Sequence, residues 1–248
     1  MESVPVTQNV LRVLSWNVHG GVGPDRRYDF GRIVELIRSH NPDVIALQEI
    51  DSRGRGGDGP PLSLLREALG EHAAEARTIS APDGHYGHVV ISRFPLSTTC
   101  LHDLSFGSRE PRCAIATQVE TSSGCVRLVT THLGLGILER RSQSARLAAL
   151  ARAASSPCIM MGDFNDWFSF GWVRRRLKTV LPSRTRERTF PAWYPLLRLD
   201  RVYCSASVRI VESWTDETAR RISDHLPIIA DISLGGAVLS AAPPGPVS

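Results

Sequence analysis

An α/β fold, a mixed sheet system covered by helices, is what this sequence predicts. Three observations carry it. Short apolar or alternating runs recur along the chain, helical patterns separate several of them, and the runs between residues 87 and 131 follow one another with no helix-length gap. Strands alternating with helices point to parallel pairing, adjacent strands to antiparallel meanders, and a mixed sheet accommodates both.

The elements follow in order. Leu11 to Trp16 reads as a strand that runs into Asn17, His19 and glycines. Phe30, Ile33, Val34 and Ile37 fall at i, i+3, i+4 and i+7, one face of a helix, and "NPD" closes it with a proline. Val44 to Leu47 is a strand running into Gln48 and Glu49, followed by the glycine- and arginine-rich loop "DSRGRGGDGPP". Residues 61–72 are rich in Leu, Ala, Arg and Glu and are predicted helical. Gly87 to Ile91, Ala114 to Val119 and Val126 to Thr131 are strands, the last running into His132. A second helix is predicted over 139–154, then a strand over Cys158 to Met161. "GDFND" ends that strand, and Gly162 is expected to supply a turn. A helix over 168–178 and strands at Leu199 to Tyr203, Val208 to Ser213 and Pro227 to Ile232 complete the set. No repeat and no linker interrupts residues 10–234, so 1–236 is read as one domain. The tail, 237–248, consists of small residues and proline with nothing to bury and is expected to be disordered.

A chain of 248 residues with 42% hydrophobic and 22% charged content can bury a real core. The formal charge of +4 weakly favours an anionic partner, and part of the excess is concentrated in "RRRLK" at 174–178 and "RTRER" at 184–188. Five scattered cysteines with no C-x-x-C pair exclude a zinc knuckle and a redox motif, and three are expected to be small buried hydrophobes. No signal-peptide pattern and no run of 18 apolar residues is present, so a reduced, cytoplasmic monomer without a transmembrane segment is expected.

Polar residues ending apolar runs are the recurrent feature: Asn17, Glu49, His132, Asp163, Asn165, Asp200, Asp224 and His225 all sit at or beside strand ends. One such residue has a bland explanation as a turn or a satisfied histidine. Several together fit a site assembled along the rim of an α/β sheet. Oxygen ligands without cysteine suit a hard cation, and Mg²⁺ takes one or two carboxylates plus water and substrate phosphate. Glu49 and Asn17 meet that demand better than a zinc site would. Asp163 and Asn165, two apart, point the same way if the segment is extended. Histidines and further carboxylates supply an acid, a base and a partner for imidazole, the inventory that phosphoester hydrolysis needs.

"SWNVHGG", "LQEID", "GHVVISRFPL", "REPRCAI", "TTHLG", "MGDFND", "LDRVY" and "SDHLPI", in that order, resemble the endonuclease/exonuclease/phosphatase superfamily across residues 10–233. This deoxyribonuclease I-like group includes sphingomyelinases and inositol-polyphosphate phosphatases. The resemblance implies a four-layer α/β/β/α sandwich, two packed mixed β-sheets flanked by helices. It further implies that Glu49 ligates a divalent metal, Mg²⁺ with Mn²⁺ as a substitute, with Asn17 close by and Asp224 a second ligand, direct or through water. Asp163 would activate or position the attacking water and Asn165 bind the scissile phosphate. His225, held by Asp200, would stabilise phosphoryl oxygens or transfer a proton, and His132 would contact the phosphate or protonate the leaving group. Exonuclease III-type enzymes carry tyrosine where this chain has His132, which sides it with the deoxyribonuclease, sphingomyelinase and phosphatase branches. His88 stands where many relatives have asparagine and is given a structural or substrate-side role. Arg109 and Arg112 are candidate anion contacts, and His19 and Asp166 flank motif residues.

In the resembled family the segment from Asp166 to Leu199 crosses the mouth of the site. Here its arginines are interleaved with Trp172, Phe190, Trp193 and Tyr194, a composition that suits a nucleic-acid backbone with base stacking, an anionic lipid headgroup region, or plain packing of a loop. Arg53 and Arg55 in the glycine-rich loop are further candidates for backbone contact. The expected function is a divalent-metal-dependent phosphodiesterase with nucleic acid favoured as substrate. A phospholipid or inositol-phosphate phosphoesterase is the same-site alternative, and an inactive binding module on the same fold is the alternative of another class.

Overall fold

A computed structural model of the chain describes residues 10–54, 61–167 and 171–234. Arg55, the first residues of the predicted 168–178 helix and the 237–248 tail lie outside the described residues. Two six-stranded mixed sheets pack face to face. The first has the order β11 (Val208–Trp214), β12 (Ile228–Leu234), β1 (Val10–Asn17), β2 (Val44–Asp51), β4 (Gly84–Ser92), β3 (His72–Ala81). The second has the order β5 (Leu96–Asp103), β6 (Cys113–Thr121), β7 (Gly124–His132), β8 (Cys158–Asp163), β10 (Asp200–Cys204), β9 (Ser183–Arg184). Pairing is parallel between β1 and β2 and between β7 and β8, and antiparallel elsewhere.

Three apolar layers explain the architecture. On β1 the side chains of Leu11 and Val13 face the opposite sheet, and those of Leu14 and Trp16 face outward to the helices. β8 divides likewise, with Ile159 and Met161 between the sheets and Cys158 and Met160 on the outer face. Burial on both faces is why these strands read as near-continuous apolar runs. Helices α1 (Phe30–His40) and α2 (Pro61–Leu69) cover the first sheet, with Ile33, Ile37 and Leu65 on it. Helices α3 (Ile137–Arg152) and α4 (Trp172–Leu177) cover the second, with Leu147, Val173 and Leu177 on it. The result is the four-layer α/β/β/α sandwich. α1 opens on Asp29, whose carboxylate accepts the Arg32 N–H at 3.3 Å, and closes on Asn41 in the left-handed conformation. Among the described residues no helix is long and apolar enough to cross a membrane.

The structure corrects four expectations. The predicted 61–72 helix ends at Leu69, and His72 instead opens β3, an unexpected edge strand whose Ala, Glu and Arg content hides its period. β5 and the two-residue β9, also edge strands, were not expected. The run from 87 to 131 is not one meander, because β4 belongs to the first sheet and β5 to β7 to the second. Only Cys158 and Cys204 are buried; Cys113 is half-buried, Cys100 and Cys125 are exposed, and all five thiols are free.

Candidate active site

Eight of the predicted residues meet at one rim of the sandwich. Asn17, Glu49, His132 and Asp163 lie at or near the carboxyl ends of the two parallel pairs, β1 with β2 and β7 with β8. Asp200 opens the antiparallel β10 directly opposite Asp163. Asp224 and His225 enter on the segment before β12, which is held by hydrogen bonds from the Ser223 hydroxyl to the Asn17 carbonyl and from the Trp16 indole to the His225 carbonyl, both 2.8 Å.

The backbone bends where the polar residues begin. Glu49 sits at φ +59° in an irregularity of the β2–β4 pairing, and Asn165 and His19 are also left-handed, at +49° and +48°. Such conformations are uncommon for these residues and gather at functional sites. Gly162 is not the turn residue expected. It lies inside β8 at φ +146°, where an added Cβ would stand 1.9 Å from the Thr131 carbonyl oxygen. The turn is made by Asp163, whose Oδ1 accepts the Asn165 N–H at 2.9 Å, and by Asn165 itself. The segment is therefore not extended through Asn165, whose amide nitrogen donates 2.8 Å to the Leu133 carbonyl.

Asp163 is the centre. Its Oδ2 accepts from the Asn17 amide at 3.2 Å and lies 3.6 Å from His132 Nε2 and 3.9 Å from His225 Nε2. Burial, then the neighbouring Asp200 charge, pushes its pKa up to about 6. His225 Nδ1 lies 2.8 Å from Asp200 Oδ2. Burial opposes the imidazolium, yet Asp200, with help from Asp163 and Asp224, raises the His225 pKa to about 10. His132 is the opposite case. Burial, then the charges of Arg112, His225 and His88, hold it well below the ordinary histidine range. Arg112 Nη1 donates 3.0 Å to His132 Nδ1, and because a guanidinium has no acceptor the ring proton must sit on Nε2. The two histidines are thus a charged donor and a neutral donor aimed at one carboxylate.

Glu49, Asp163 and Asp224 have no arginine or lysine partner within ion-pair distance among the described residues. His19 stands between two of them, 3.5 Å from Asp224 and 3.8 Å from Glu49. Two partly exposed carboxylates, Glu49 and Asp224, with the buried Asn17 amide and no sulfur, fit a hard divalent cation. A second trio, Asp163, Asp200 and His225, has ligand atoms within 4.8 Å of one another. It is a poorer candidate, since its one imidazole nitrogen near Asp200 is already spent on a short hydrogen bond.

The substrate-side candidates divide. Arg112 is buried behind His132 and also pairs with Glu110 at 3.0 Å, so it positions the imidazole instead of presenting itself to an anion. Arg53 donates twice to Asp51, both at 2.9 Å, and covers the Tyr86 ring. Arg109 is largely exposed, with buried Glu139 3.6 Å away. Trp172 is on the outer helix layer beneath Arg141 and Arg175, away from the rim. Asp166 accepts the Arg174 N–H at the start of α4, a structural duty. Phe190 packs on the His225 ring at 4.8 Å, while Trp193, 74% exposed, lines a cleft with His19, Arg220 and Asp224. His88 is buried near Arg112, and burial, then that charge, lowers its pKa to about 4. The clamps Ser223 and Thr189, whose hydroxyl accepts the Asp200 N–H at 3.2 Å, were not singled out in the sequence. Their signal was position, as the first residues of "SDHLPI" and "TFP".

Two mixed sheets with this rim form the deoxyribonuclease I-like sandwich, an architecture of phosphoester hydrolases. The chain belongs to the Endonuclease/Exonuclease/phosphatase family, whose model matches residues 14–225. It is 29% identical over 244 residues to Uncharacterized protein YbhP of Escherichia coli (strain K12), covering 90% of this chain and 96% of that one. It also resembles the crystal structure of endonuclease/exonuclease/phosphatase from Beutenbergia cavernae, with a TM-score of 0.77, 24% identity and coverage of 92% of this chain and 72% of that chain. Mannosyl-6-phosphatase Bt3783 of Bacteroides thetaiotaomicron superposes with a TM-score of 0.68 at 17% identity, over 90% of this chain and 99% of that chain.

Proposed function

We propose that the protein is a divalent-metal-dependent phosphodiesterase that acts on nucleic acid. The observation that carries the hydrolytic reading is the line Asp200–His225–Asp163, with separations of 2.8 and 3.9 Å and a second histidine 3.6 Å from the same Asp163 oxygen. Asp163 accepts the proton of a water placed in line with phosphorus. His225, charged and held by Asp200, donates from Nε2 to the developing charge on the phosphoryl or leaving oxygen. Neutral His132 donates from Nε2 to a phosphoryl oxygen, which leaves protonation of the leaving group to His225. Asn165 has one amide proton beyond its bond to Leu133 for the same phosphate. Glu49, Asn17 and Asp224 would hold Mg²⁺ or Mn²⁺, which when bound neutralises charge on the phosphoryl and leaving oxygens.

A binding module has no need of this complete set of acid, base and orienting groups. Nucleic acid is favoured over a lipid or inositol phosphate by Trp193 and Tyr194, 74% and 60% exposed beside a cleft of about 220 Å³ that holds Arg220. Free thiols at all five cysteines support a reducing, cytoplasmic setting. The test is hydrolysis of bis-p-nitrophenyl phosphate, p-nitrophenyl phosphate, plasmid DNA, RNA and sphingomyelin with Mg²⁺ or Mn²⁺ against EDTA. Metal-dependent cleavage of the diester and of DNA or RNA is expected, and turnover of none of the five would sink the enzyme reading. Asp163→Ala and His225→Ala should each lose at least about 10²-fold in kcat with the fold intact; near-wild-type turnover would overturn the roles.

A further inference from the structure

A second concentration of positive charge lies around the corner from the rim. Asp200 and Arg201 are neighbours on β10, but strand alternation sends them to opposite faces. Asp200 meets His225, whereas Arg201 shares the outer face with Tyr203. There Arg201, Arg184, Arg186, Arg198, Trp167 and Asp166 line a cleft of about 280 Å³, close to the low end of the range for small-ligand sites.

Arg201 is buried, with 6% of its surface exposed, and its Nε–H has no acceptor; the Nε–H of Arg184 is also buried and unmatched. None of these four arginines has a carboxylate within ion-pair distance among the described residues. The cleft's one acid, Asp166, accepts the Arg174 N–H at the start of α4, and its single charge is shared among Arg201, Arg140 and Arg174. Arg198 Nε donates 2.6 Å to the Arg186 carbonyl, which ties the two segments together across the opening. A buried guanidinium without a counter-ion is costly, and several together without one are more so. Burial lowers the Arg201 pKa, Arg184 and Arg198 lower it further, and Tyr203 and Asp166 oppose them, so a single acid faces these four arginines. Guanidinium forks are shaped for bidentate contact with a tetrahedral oxyanion.

We propose that this cleft is a second phosphate-binding site, separate from the catalytic rim, filled by a non-scissile phosphate of a chain-like substrate. This rests on the phosphodiesterase reading for the source of the phosphate, and not for the existence of the site. The geometry fits a strand. Asp163 and Trp167 are four residues apart, so their Cα atoms are at most about 14 Å apart. A phosphate a few positions from the scissile one along a strand can reach across such a distance.

Two measurements test it. Inorganic phosphate is titrated into the full-length protein in EDTA, and the Trp167 indole N–H and arginine Nε–H signals are followed by NMR. These signals should shift in the wild type, with an affinity at least tenfold weaker in Arg186→Gln/Arg198→Gln, two exposed positions whose replacement spares the core. In turnover, the same double variant should lower kcat/KM for a single-stranded oligonucleotide at least tenfold relative to kcat/KM for bis-p-nitrophenyl phosphate, through KM. If the titration responds while that ratio stays fixed, the site stands and its occupant is free phosphate. If phosphate leaves the cleft signals unmoved in the wild type, the site is wrong. The titration needs no turnover, so it decides on the site whether or not the protein hydrolyses any phosphoester.

Discussion

Arg112 shows how one side chain sets the chemistry of another. Its Nη1 stands 3.0 Å from His132 Nδ1, fixing the proton on Nε2, and its charge adds to burial in holding the ring neutral. Arg112→Gln should lower kcat/KM about 10- to 100-fold, the range for residues that orient a functional histidine. It should also move the acid limb of the pH–rate profile to higher pH, because removing the charge lets His132 protonate sooner. A purely structural role would cost activity without moving the limb. His88 gives a stability prediction of definite sign. Its pKa in the fold is about 4 against 6.5 in the unfolded chain, so between those values the unfolded state binds the extra proton. Stability should fall as pH drops from 6.5 to 4, by about 3 kcal/mol for this group. Asp163, its carboxyl pushed up, binds its proton first in the fold and works in the opposite direction. The difference between wild type and His88→Asn in urea midpoints at pH 7 and pH 4.5 therefore isolates the histidine. A pH-independent difference would mean that His88 titrates as it does in the unfolded chain.

At the scale of the element, β8 delivers Asp163 only because Gly162 lets it press against β7. An added methyl at 162 would meet the Thr131 carbonyl at 1.9 Å in a conformation that L-residues avoid. Gly162→Ala should therefore cost about 2–4 kcal/mol. It should also lower turnover at temperatures where the variant remains folded, read by calorimetry and diester hydrolysis together. Unchanged stability would mean that the strands part without cost. The same contrast between interior and edge decides what the sequence made legible. β1, β2, β7 and β8 are buried on both faces, so their apolar runs are plain, and each stops at the polar residue it presents. β3, β5 and β9 lie at or next to sheet edges with half-exposed or exposed side chains, so no periodicity marks them. Gly162 was legible as a special position but not as a strand residue, because the reason for it is a carbonyl thirty-one positions away. The link from Arg112 to His132 was hidden likewise: both residues were visible, and only the register of β6 beside β7 makes them neighbours.

Across the whole molecule, the candidate site exists only while the two sheets are in register with each other. Asn17, Glu49, Asp224 and His225 come from the first sheet or its connections, and His132, Asp163, Asn165 and Asp200 from the second. Hydrogen bonds from Asn17 to Asp163 and between His225 and Asp200 cross between them. The cost of this arrangement is a gathering of like charge, since Glu49, Asp163, Asp200 and Asp224 converge with no arginine or lysine within ion-pair distance among the described residues, only histidines. A cation that binds the folded state alone must therefore stabilise the whole sandwich. At 100 times its dissociation constant Mg²⁺ should add about 2.7 kcal/mol. For a chain of this length that corresponds to a rise of about 5–10 °C in Tm over the value in EDTA. Glu49→Gln removes the ligand and relieves the repulsion together. Its Tm in EDTA should equal or exceed that of the wild type, and its response to Mg²⁺ should vanish. Should the variant keep the full Mg²⁺-induced rise, the cation binds elsewhere and Glu49 is not its ligand.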